Sequence, residues 1–350
     1  MYLLFLPVVC LGQSNTPKHS NEFLSIGVGA RSLGMSNAQV SVADNVTAGF
    51  WNPAGLLDIN NQYEFELMHA SLFAGIANFD YAGFATPIDS SNHLGFSIVR
   101  FGVDDIPDTR FLYDANGVLN YDNISFFSAA DYAFIFSFAR RVKFIKGLKL
   151  GANFKVIHRT VGDFAKAWGF GLDMGAQMSV SQWRFGLMLR DITGTFNAWS
   201  HNSELVADIY SQTGNEIPDN TLEITLPKMI LGVSRDWQLS DNFSLLAALD
   251  MDFSFDGRRN VLISTDVVSI DPHMGLEIGF KQVAYLRGGI GNIQEIKDFD
   301  SSTSTTAQAN FGVGVKVKQV QIDYALTNMG DQSDALYSHI FSIRASFDKK

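Results

Sequence analysis

The feature that most constrains this chain is a period-two alternation of side chains, which returns in segment after segment from residue 62 onward. In WGFGLDMGAQMSV, residues 168–180, one parity carries large apolar residues and alanine, and the other carries glycine, aspartate, glutamine and serine. Successive side chains of an extended strand point to opposite faces, so this segment predicts a strand with one apolar face and one small or polar face. The same alternation returns in 148–156, 183–190, 243–254 and 341–347.

The alternating segments form about fourteen predicted strands, most of which have nine or more residues. Strands of soluble proteins usually have about five or six residues, whereas a tilted strand that crosses a bilayer needs about 9–11. Short turns such as DSSN, VSQ and LSDN alternate along the chain with long connections. The predicted strands lie near 62–70, 78–88, 91–101, 128–140, 147–159, 167–180, 182–190, 226–238, 243–254, 272–281, 283–291, 307–317, 319–327 and 338–348.

This order of short and long connections is typical of an antiparallel barrel that spans an asymmetric membrane, with tight turns on one side and loops on the other. Closure leaves no unpaired backbone edge in hydrocarbon. The predicted fold is therefore all-β, a closed antiparallel transmembrane β-barrel of about 14 strands. A soluble sandwich, a lipocalin-like barrel and a propeller are the alternatives. The lack of a repeat with a period of about 20–50 residues counts against the propeller.

Charge is distributed unevenly along the predicted barrel. The chain has a formal net charge of −10 at pH 7, and its six long connections hold 20 acidic and 5 basic side chains, whereas several short turns are basic. We expect the short turns and both termini on the periplasmic side and the long acidic loops outside the cell. These loops are interpreted as solvated surface, or as a surface that binds divalent cations or a basic partner. The acidic balance argues against a nucleic-acid partner.

The first 12 residues, MYLLFLPVVCLG, form the one long apolar run of the chain. Such a run is too short to span a bilayer, which takes about 20 apolar residues, and it resembles the core of a secretory signal peptide with cleavage before Gln13. The basic residues that usually open such a peptide are missing. Cleavage would remove Cys10, the single cysteine, and with it disulfide and thiolate chemistry. A lipidated Cys10 is the alternative.

Residues 21–61 precede the first predicted strand and are rich in apolar residues and glycine. Such a segment is too apolar to extend into water, and wide barrels are often filled by a plug. Within FWNPAGLL, residues 50–57, Pro53 lacks a backbone donor and favours an extended Asn52, which predicts a fixed bend that holds the plug against the inner wall. The predicted division is a signal peptide, complete or truncated, over 1–12, an N-terminal segment with the luminal plug (hatch) over 13–61, and the barrel over 62–350.

Two motifs add a family resemblance. GVGARSLGMSNAQVSVADNVTAGFWNPAGLL, residues 27–57, resembles the N-terminal signature of the PorV/PorQ family of outer-membrane proteins, within the wider group of barrels similar to the FadL long-chain fatty-acid transporter. DYALTNMGDQSDALYSHIFSIRASF, residues 323–347, resembles the end of the same branch. The resemblance implies a plug motif made of Gly29, Arg31, Gly34, Trp51, Asn52, Pro53, Ala54 and Gly55.

The family resemblance implies a non-enzymatic outer-membrane barrel that recruits or anchors partner proteins of the type IX secretion system. The expected partners are outer-membrane lipid and proteins of a secretion translocon or a surface-attachment complex. The alternative is a FadL-like transporter of hydrophobic small molecules. A transporter of this kind would bind a hydrophobic ligand, and it would need an apolar pocket beside the plug and an opening in the wall beside a kinked strand.

Charged residues on the inward parity are the remaining candidates. Arg31 is expected to form an ion pair or hydrogen bonds with acidic residues of the wall, because a buried charge needs a partner. The luminal candidates are Asp173, Asp250 and Asp252, and the last two share a face and could bind a cation. The scattered histidines lack metal-ligand spacing, and the glycines of 27–34 have the wrong spacing for a dinucleotide loop. No catalytic residue, metal ligand or cofactor-binding residue is predicted.

Overall fold

Fourteen antiparallel strands form a closed ring, because the last strand of the chain pairs with the first. The computed structural model describes residues 20–113, 117–207, 219–297, 303–328 and 338–348. Tyr63, at the start of the first strand, lies opposite Phe347, at the end of the last. The predicted fold class, a closed antiparallel barrel of 14 strands, is confirmed. The predicted signal peptide lies outside the described residues.

The described residues hold 17 strands, of which three lie outside the ring. In chain order they are β1 (Tyr63–Leu72), β2 (Ala77–Pro87), β3 (Asn92–Asp108), β4 (Ser125–Arg141), β5 (Leu148–Val161), β6 (Ala165–Val180), β7 (Trp183–Arg190), β8 (Thr195–His201), β9 (Leu222–Thr225), β10 (Lys228–Gln238), β11 (Phe243–Ser254), β12 (Ile263–Ser264), β13 (Ser269–Phe280), β14 (Ala284–Lys297), β15 (Thr303–Val317), β16 (Val320–Thr327) and β17 (Ser338–Phe347). Most bounds agree with the predicted strands to within a few residues, and β3 and β14 continue furthest beyond their predicted ends.

The strands outside the ring lie in segments that the sequence predicted as long connections. The prediction of a loop over 191–224 is wrong in part, because β8 and β9 form an antiparallel pair there. Strand β6 continues beyond the end of β7, and its unpaired backbone groups find partners in β8, where Ala165 lies opposite His201. The short strand β12 pairs in the same way with β13.

The two faces of the wall differ as the parity predicted. In β6, Phe170, Leu172 and Met174 are exposed on the outer face, whereas Asp173 and Gln177 are buried on the inner face. An apolar outer face around a polar interior is the arrangement expected for a barrel in lipid. Other buried charged residues of the barrel strands are Glu64, Glu66, Lys149, Lys155, Asp250, Glu277, Arg287 and Asp323.

Residues 20–61, which precede β1, form short helical turns. They are the 3-10 helices Glu22–Ser25 and Pro53–Asp58 and the α-helices α1 (Ala30–Gly34) and α2 (Ala48–Trp51). Further 3-10 helices are Phe73–Gly75, Tyr121–Asn123 and Ser203–Leu205. Across the described parts of the chain, no helix has the length and apolar character that a membrane crossing requires.

Residues 20–61 contact all the strands of the ring and therefore lie inside it; we name them the luminal segment. Most of their side chains are buried, and the backbone bends that bring them to the wall begin at glycines such as Gly29, with a φ of 87°. The wall residues in contact include Met68 on β1, Tyr81 on β2, His93 on β3, Ser137 on β4, Asn153 on β5, Gln177 on β6, Leu187 on β7, Gly232 on β10, Asp250 on β11, Glu277 on β13, Gly289 on β14, Asn310 on β15 and Ser342 on β17, and α1 packs against β16.

The luminal segment runs along the barrel from one end to the other. Glu22 forms an ion pair with Arg259, at 3.1 Å, in the long connection that follows β11. Asp58 forms an ion pair with Lys149, beside the short turn between β4 and β5. The sequence analysis placed both termini on the side of the short turns. The described chain begins instead at the long-connection end, because Ser20 donates a hydrogen bond to Glu223 there.

Candidate functional site

Asn52, the centre of the FWNPAGLL motif, joins the luminal segment to the wall. It is fully buried and extended, with φ −160° and ψ 103°, as the following proline predicts. Its Nδ2 lies 2.9 Å from the carbonyl oxygen of Val40, 3.0 Å from that of Ala176 and 3.3 Å from that of Leu187. Its Oδ1 accepts a hydrogen bond from the Ala54 N–H at 3.2 Å and so caps the next helical turn.

The backbone of Pro53, Ala54 and Gly55 lies so close to its surroundings that the neighbouring positions have no room for a side chain. A Cβ atom on Gly151 of β5 would lie 2.4 Å from the backbone nitrogen of Ala54 and 2.5 Å from the carbonyl carbon of Pro53. A Cβ atom on Gly55 would lie 2.0 Å from the carbonyl oxygen of Ala43. The motif therefore needs both its own glycine and a glycine in the wall.

Trp51 holds the start of the luminal segment against its end. Its Nε1 donates a hydrogen bond to the carbonyl oxygen of Val28 at 2.9 Å. The guanidinium of Arg190 lies 4.8 Å from the ring centre of Phe50 and 5.6 Å from that of Trp51, within cation–π distance. Arg190 also donates to the carbonyl oxygen of Leu24, at 3.4 Å. This pair of aromatic rings therefore links both parts of the segment to β7.

Arg31 lies in α1 and forms ion pairs, but with partners other than those the sequence suggested. Its Nε lies 2.9 Å from Glu277 of β13, and its Nη1 lies 2.8 Å from Asp44 of the luminal segment. Arg31 contacts neither Asp173 nor the other two candidates, because α1 packs on β14–β17, on a different part of the ring from β6 and β11. Burial favours the neutral form of Asp44, but Arg31 and Arg184 hold the pKa of its carboxyl below the usual range.

Gly29 and Gly34 frame α1. Gly29 has a left-handed φ of 87°, and its N–H points to the sulfur of Met68 at 3.0 Å. A Cβ atom on Gly34 would lie 3.0 Å from the Cα of Gly312 in β15, so a glycine of the helix meets a glycine of the wall. The Ala30 N–H donates to the Ser342 hydroxyl at 2.6 Å. Together these contacts fix α1 against the wall.

The three acidic wall candidates have separate environments. Asp173 forms an ion pair with the Lys155 ammonium at 2.8 Å and accepts a hydrogen bond from the Asp191 N–H at 2.9 Å. The Oδ2 of Asp250 accepts two backbone N–H groups of the luminal segment, from residues 39 and 40, at 2.6 and 2.7 Å. Asp252 faces a cavity. Asp250 and Asp252 share a face, but Asp250 binds backbone N–H groups while Asp252 faces the cavity, and among the described residues no group of three or more His, Cys, Asp or Glu side chains could hold a metal ion.

Sequence analysis missed a set of wall glycines on which the luminal segment rests. A Cβ atom on any of them would approach a backbone or side-chain atom of the segment to 3.3 Å or less. They form two groups on neighbouring strands, which we name the glycine seats. The first seat is Gly151, Gly175, Gly186 and Gly232, and the second is Gly275, Gly289 and Gly312. The available signal was the repeated glycine on the inward parity of successive strands.

A cavity of 680 Å³ lies between the luminal segment and the wall at the long-connection end. This volume is within the range of about 300–1,000 Å³ usual for small-molecule sites. Its polar residues include Lys228, Asp252, Asp271 and His273, and its apolar residues are Ile26, Leu33, Phe73 and Val261.

The ladder between β7 and β10 stops at a place that we name the seam. β7 pairs with β10, and further out β8 pairs with β9, but between these two ladders the four residues 191–194 stand opposite the two residues 226–227, and the Ile192 N–H donates to Leu172 of β6 on the other side. Pro227 has no backbone N–H, and Asp191 has a left-handed φ of 55°. The backbone ladder therefore cannot continue through the seam. On the inner side, Lys155 bridges Asp173 and Asp191.

An apolar groove of 470 Å³ lies on the outer face of the wall over β6, β7, β10 and β11, and the last ladder pairs of β7 and β10, Leu189 with Met229 and Arg190 with Lys228, separate it from the seam. The side chain of Ala176 is the smallest of those that β6 contributes there, and two inward-facing glycines, Gly186 and Gly232, also border the groove. Asn52 of the luminal segment lies behind the same part of the wall. The larger residues around the groove are Leu148, Met178, Phe185, Leu187, Leu231, Val233, Leu249 and Met251.

These features define a class: closed barrels of 14 strands that contain their own N-terminal segment. No family model matches the sequence, and no curated protein matches it. Solved structures do share the fold. The toluene transporter TbuX of Ralstonia pickettii is 16% identical, with a TM-score of 0.55 over 92% of this chain and 98% of TbuX.

Two other structures give the same result. The toluene transporter TodX of Pseudomonas putida is 13% identical, with a TM-score of 0.58 over 93% of this chain and 99% of TodX. A FadL homologue of Pseudomonas aeruginosa is 12% identical, with a TM-score of 0.51 over 92% and 98%. Because these shares exceed the part of the chain that the barrel occupies, the likeness extends into the luminal segment. The PorV/PorQ affiliation stays a prediction.

Proposed function

We propose that the protein is a non-enzymatic barrel of the bacterial outer membrane that transports hydrophobic small molecules. The observation that carries this proposal is the seam, the place where the wall loses its ladder between residues 191–194 and 226–227. The groove over the paired part of the same strands, β7 and β10, is lined almost entirely by apolar residues and opens on the face that would contact lipid. The fold shared with toluene transporters supports the same function.

The seam suits a molecule that moves between the barrel and lipid. A continuous ladder would have to break before a solute could cross the wall, whereas the seam lacks those hydrogen bonds already. Transfer of an apolar solute from water into the groove lowers its free energy in proportion to the apolar area that becomes buried. The ion pairs of Lys155 with Asp173 and Asp191 lie behind the seam and would keep it closed to ions.

Uptake of labelled toluene by cells that carry or lack the protein tests this proposal. The substitution Ala176→Trp places a large side chain in the groove and is expected to reduce uptake at least tenfold. Ala345→Trp, which adds the same side chain to the outer face of β17, away from the groove, is the matched control and should leave uptake unchanged. Equal uptake with and without the protein would refute the transport function.

A partner-recruiting role in type IX secretion is the second candidate. It is supported by the terminal motifs and by exposed aromatic residues in the long connection between β3 and β4. Phe111 is 59% exposed, Tyr113 65% and Tyr121 69%. Extraction in mild detergent should then co-purify specific large proteins. Replacement of these three residues with serine should release those proteins and leave the barrel folded, and recovery of the barrel alone from wild-type cells would exclude this role.

A further inference from the structure

The cavity at the long-connection end holds charged groups that the chain itself leaves without partners. Lys228 and Asp252 face the cavity, and within the described chain the side chain of neither makes a hydrogen bond or a close ion pair, although Glu22 and Asp252 both act on the Lys228 ammonium from a longer distance. Asp271 approaches only His273, at 3.6 Å, and its Oδ1 is buried without a hydrogen-bond partner. Unpaired charged groups in a partly buried site cost free energy, so a bound partner would stabilise them.

The strand register brings two of these groups face to face. Asp252 of β11 lies directly opposite Asp271 of β13, and both line the cavity. Side chains at directly opposite positions have Cβ atoms about 4.5–5.5 Å apart, and like charges there repel each other. Among the described residues, no lysine or arginine forms a close ion pair with either carboxylate, and His273 lies 3.6 Å from Asp271. A ligand with an ammonium group would remove this repulsion.

A positive group lies one strand further along the wall. Lys228 of β10 is opposite Ser254 of β11, two residues from Asp252, so Lys228 and Asp252 are diagonal neighbours on one face. The other cations at the cavity already have partners: Arg259 pairs with Glu22 and Asp256. Arg258 pairs with an aspartate of its own loop. Glu22 also acts on Lys228, but its carboxylate is already paired with Arg259, so Lys228 is the group available for a further carboxylate.

The opposite side of the cavity is apolar. Ile26 and Leu33 of the luminal segment, Phe73 of the connection between β1 and β2, and Val261 contribute this side. A ligand that satisfies both sides has an ammonium, a carboxylate and an apolar body. We propose that the cavity binds an apolar α-amino acid or a short apolar peptide, with its ammonium at Asp252 and Asp271 and its carboxylate at Lys228. The site does not depend on transport through the seam.

Calorimetric titration of the full chain in detergent tests the proposal with L-phenylalanine and three analogues. N-acetylphenylalanine lacks the ammonium, phenylalanine amide lacks the carboxylate, and toluene lacks both. L-phenylalanine should bind at least tenfold more tightly than either charged analogue, and toluene should not compete with it. Asp252→Asn and Lys228→Met should each weaken phenylalanine binding at least tenfold.

The analogues and the variants should also match in pairs. Asp252→Asn should not weaken N-acetylphenylalanine further, and Lys228→Met should not weaken phenylalanine amide further. Asp241→Asn, which changes an exposed carboxylate in the short turn between β10 and β11, outside the cavity, is the matched control and should bind as the wild type does. Circular dichroism establishes that each variant keeps its strands.

Several outcomes would overturn this site. One is the absence of phenylalanine binding to the folded wild type, and another is equal binding of phenylalanine and N-acetylphenylalanine. Displacement of phenylalanine by toluene would show an apolar cavity instead. Displacement by Ca²⁺ would show that the two carboxylates form a cation site. Toluene uptake by cells is a separate measurement, so failure here leaves the transport proposal standing.

Discussion

Single atoms decide how closely the luminal segment approaches the wall. Asn52 satisfies carbonyl groups of the segment and of two strands at once, and the glycine seats leave space for backbone against backbone. The extended Asn52 was predictable, because a proline restricts the residue before it. The seats were not, because alternation shows that a glycine faces inward but not which luminal atom it meets. The partners of Arg31 were missed for the same reason.

Gly186→Ala should destabilise the seated segment. The added Cβ would lie 2.3 Å from the carbonyl oxygen of Val40, a backbone atom that cannot move aside cheaply. Overpacking of this kind costs about 1–3 kcal/mol. The measurement is protease cleavage within 20–61 at increasing urea. Gly288→Ala is the control, because a Cβ atom added there would lie 4.0 Å from its nearest neighbour, the carbonyl oxygen of Asn310. Equal cleavage of both variants would contradict the prediction.

Asn52→Leu should loosen the segment more strongly. The leucine keeps the approximate volume but removes the donor that reaches Val40, Ala176 and Leu187. A buried group left without its partner costs about 1–3 kcal/mol, and more than one carbonyl loses its donor here. The urea midpoint for cleavage should fall below that of Asn61→Leu, which removes an exposed hydrogen bond to Asp348. A midpoint equal to that of Asn61→Leu would show that the wall does not need this amide.

The elements of the barrel differ in how continuous their pairing is. β5 and β6 pair from Leu148 opposite Met178 to Val161 opposite Ala165 without a break, whereas the seam separates the ladder of β7 with β10 from the pair of β8 with β9 that lies outside the ring. Ring strands were predictable because each carries its own alternation. The short β8 and β9 were not, because their pairing depends on how far β6 extends past its neighbour.

Amide hydrogen exchange should show the seam directly. Three amides of residues 191–194 make isolated hydrogen bonds, from Asp191 to the Asp173 carboxylate, from Ile192 to the Leu172 carbonyl and from Gly194 to the Asp191 carbonyl. These bonds do not form a ladder across the seam, so we expect the stretch to exchange at least tenfold faster than residues 150–157 in β5. Mass spectrometry of peptides from the detergent-solubilised protein provides the measurement. Equal protection of the two stretches would mean that the seam is closed by hydrogen bonds in solution.

Across the whole molecule, the luminal segment connects the two ends of the barrel. Ser25 lies at the long-connection end and Asn60 at the short-turn end, and both are exposed. The sequence predicted that the segment fills the lumen, but not how far along the barrel it extends. The contacts of Ser20 and Glu22 with the opposite end required the folded structure, since no pattern in 20–25 specifies which strand residues these will meet.

Cysteine labelling tests this orientation in intact cells. With the long connections outside the cell, Ser25→Cys should react with a membrane-impermeant maleimide without permeabilisation. Asn60→Cys is the matched position at the other end and should react only after the outer membrane is opened. The reverse pattern would place the long connections in the periplasm, and reaction of both residues from outside would show that the segment leaves the lumen.

The closed ring around the luminal segment also constrains biogenesis. The segment is synthesised before every strand, it contacts all of them, and its far end lies at the opposite mouth from β1. A completed cylinder would have to admit these 40 or so residues lengthwise past the glycine seats, against close-packed walls. The segment therefore acts as an internal template around which β1 and β17 meet last, and damage to a glycine seat should lower the yield of inserted protein before it alters the finished molecule.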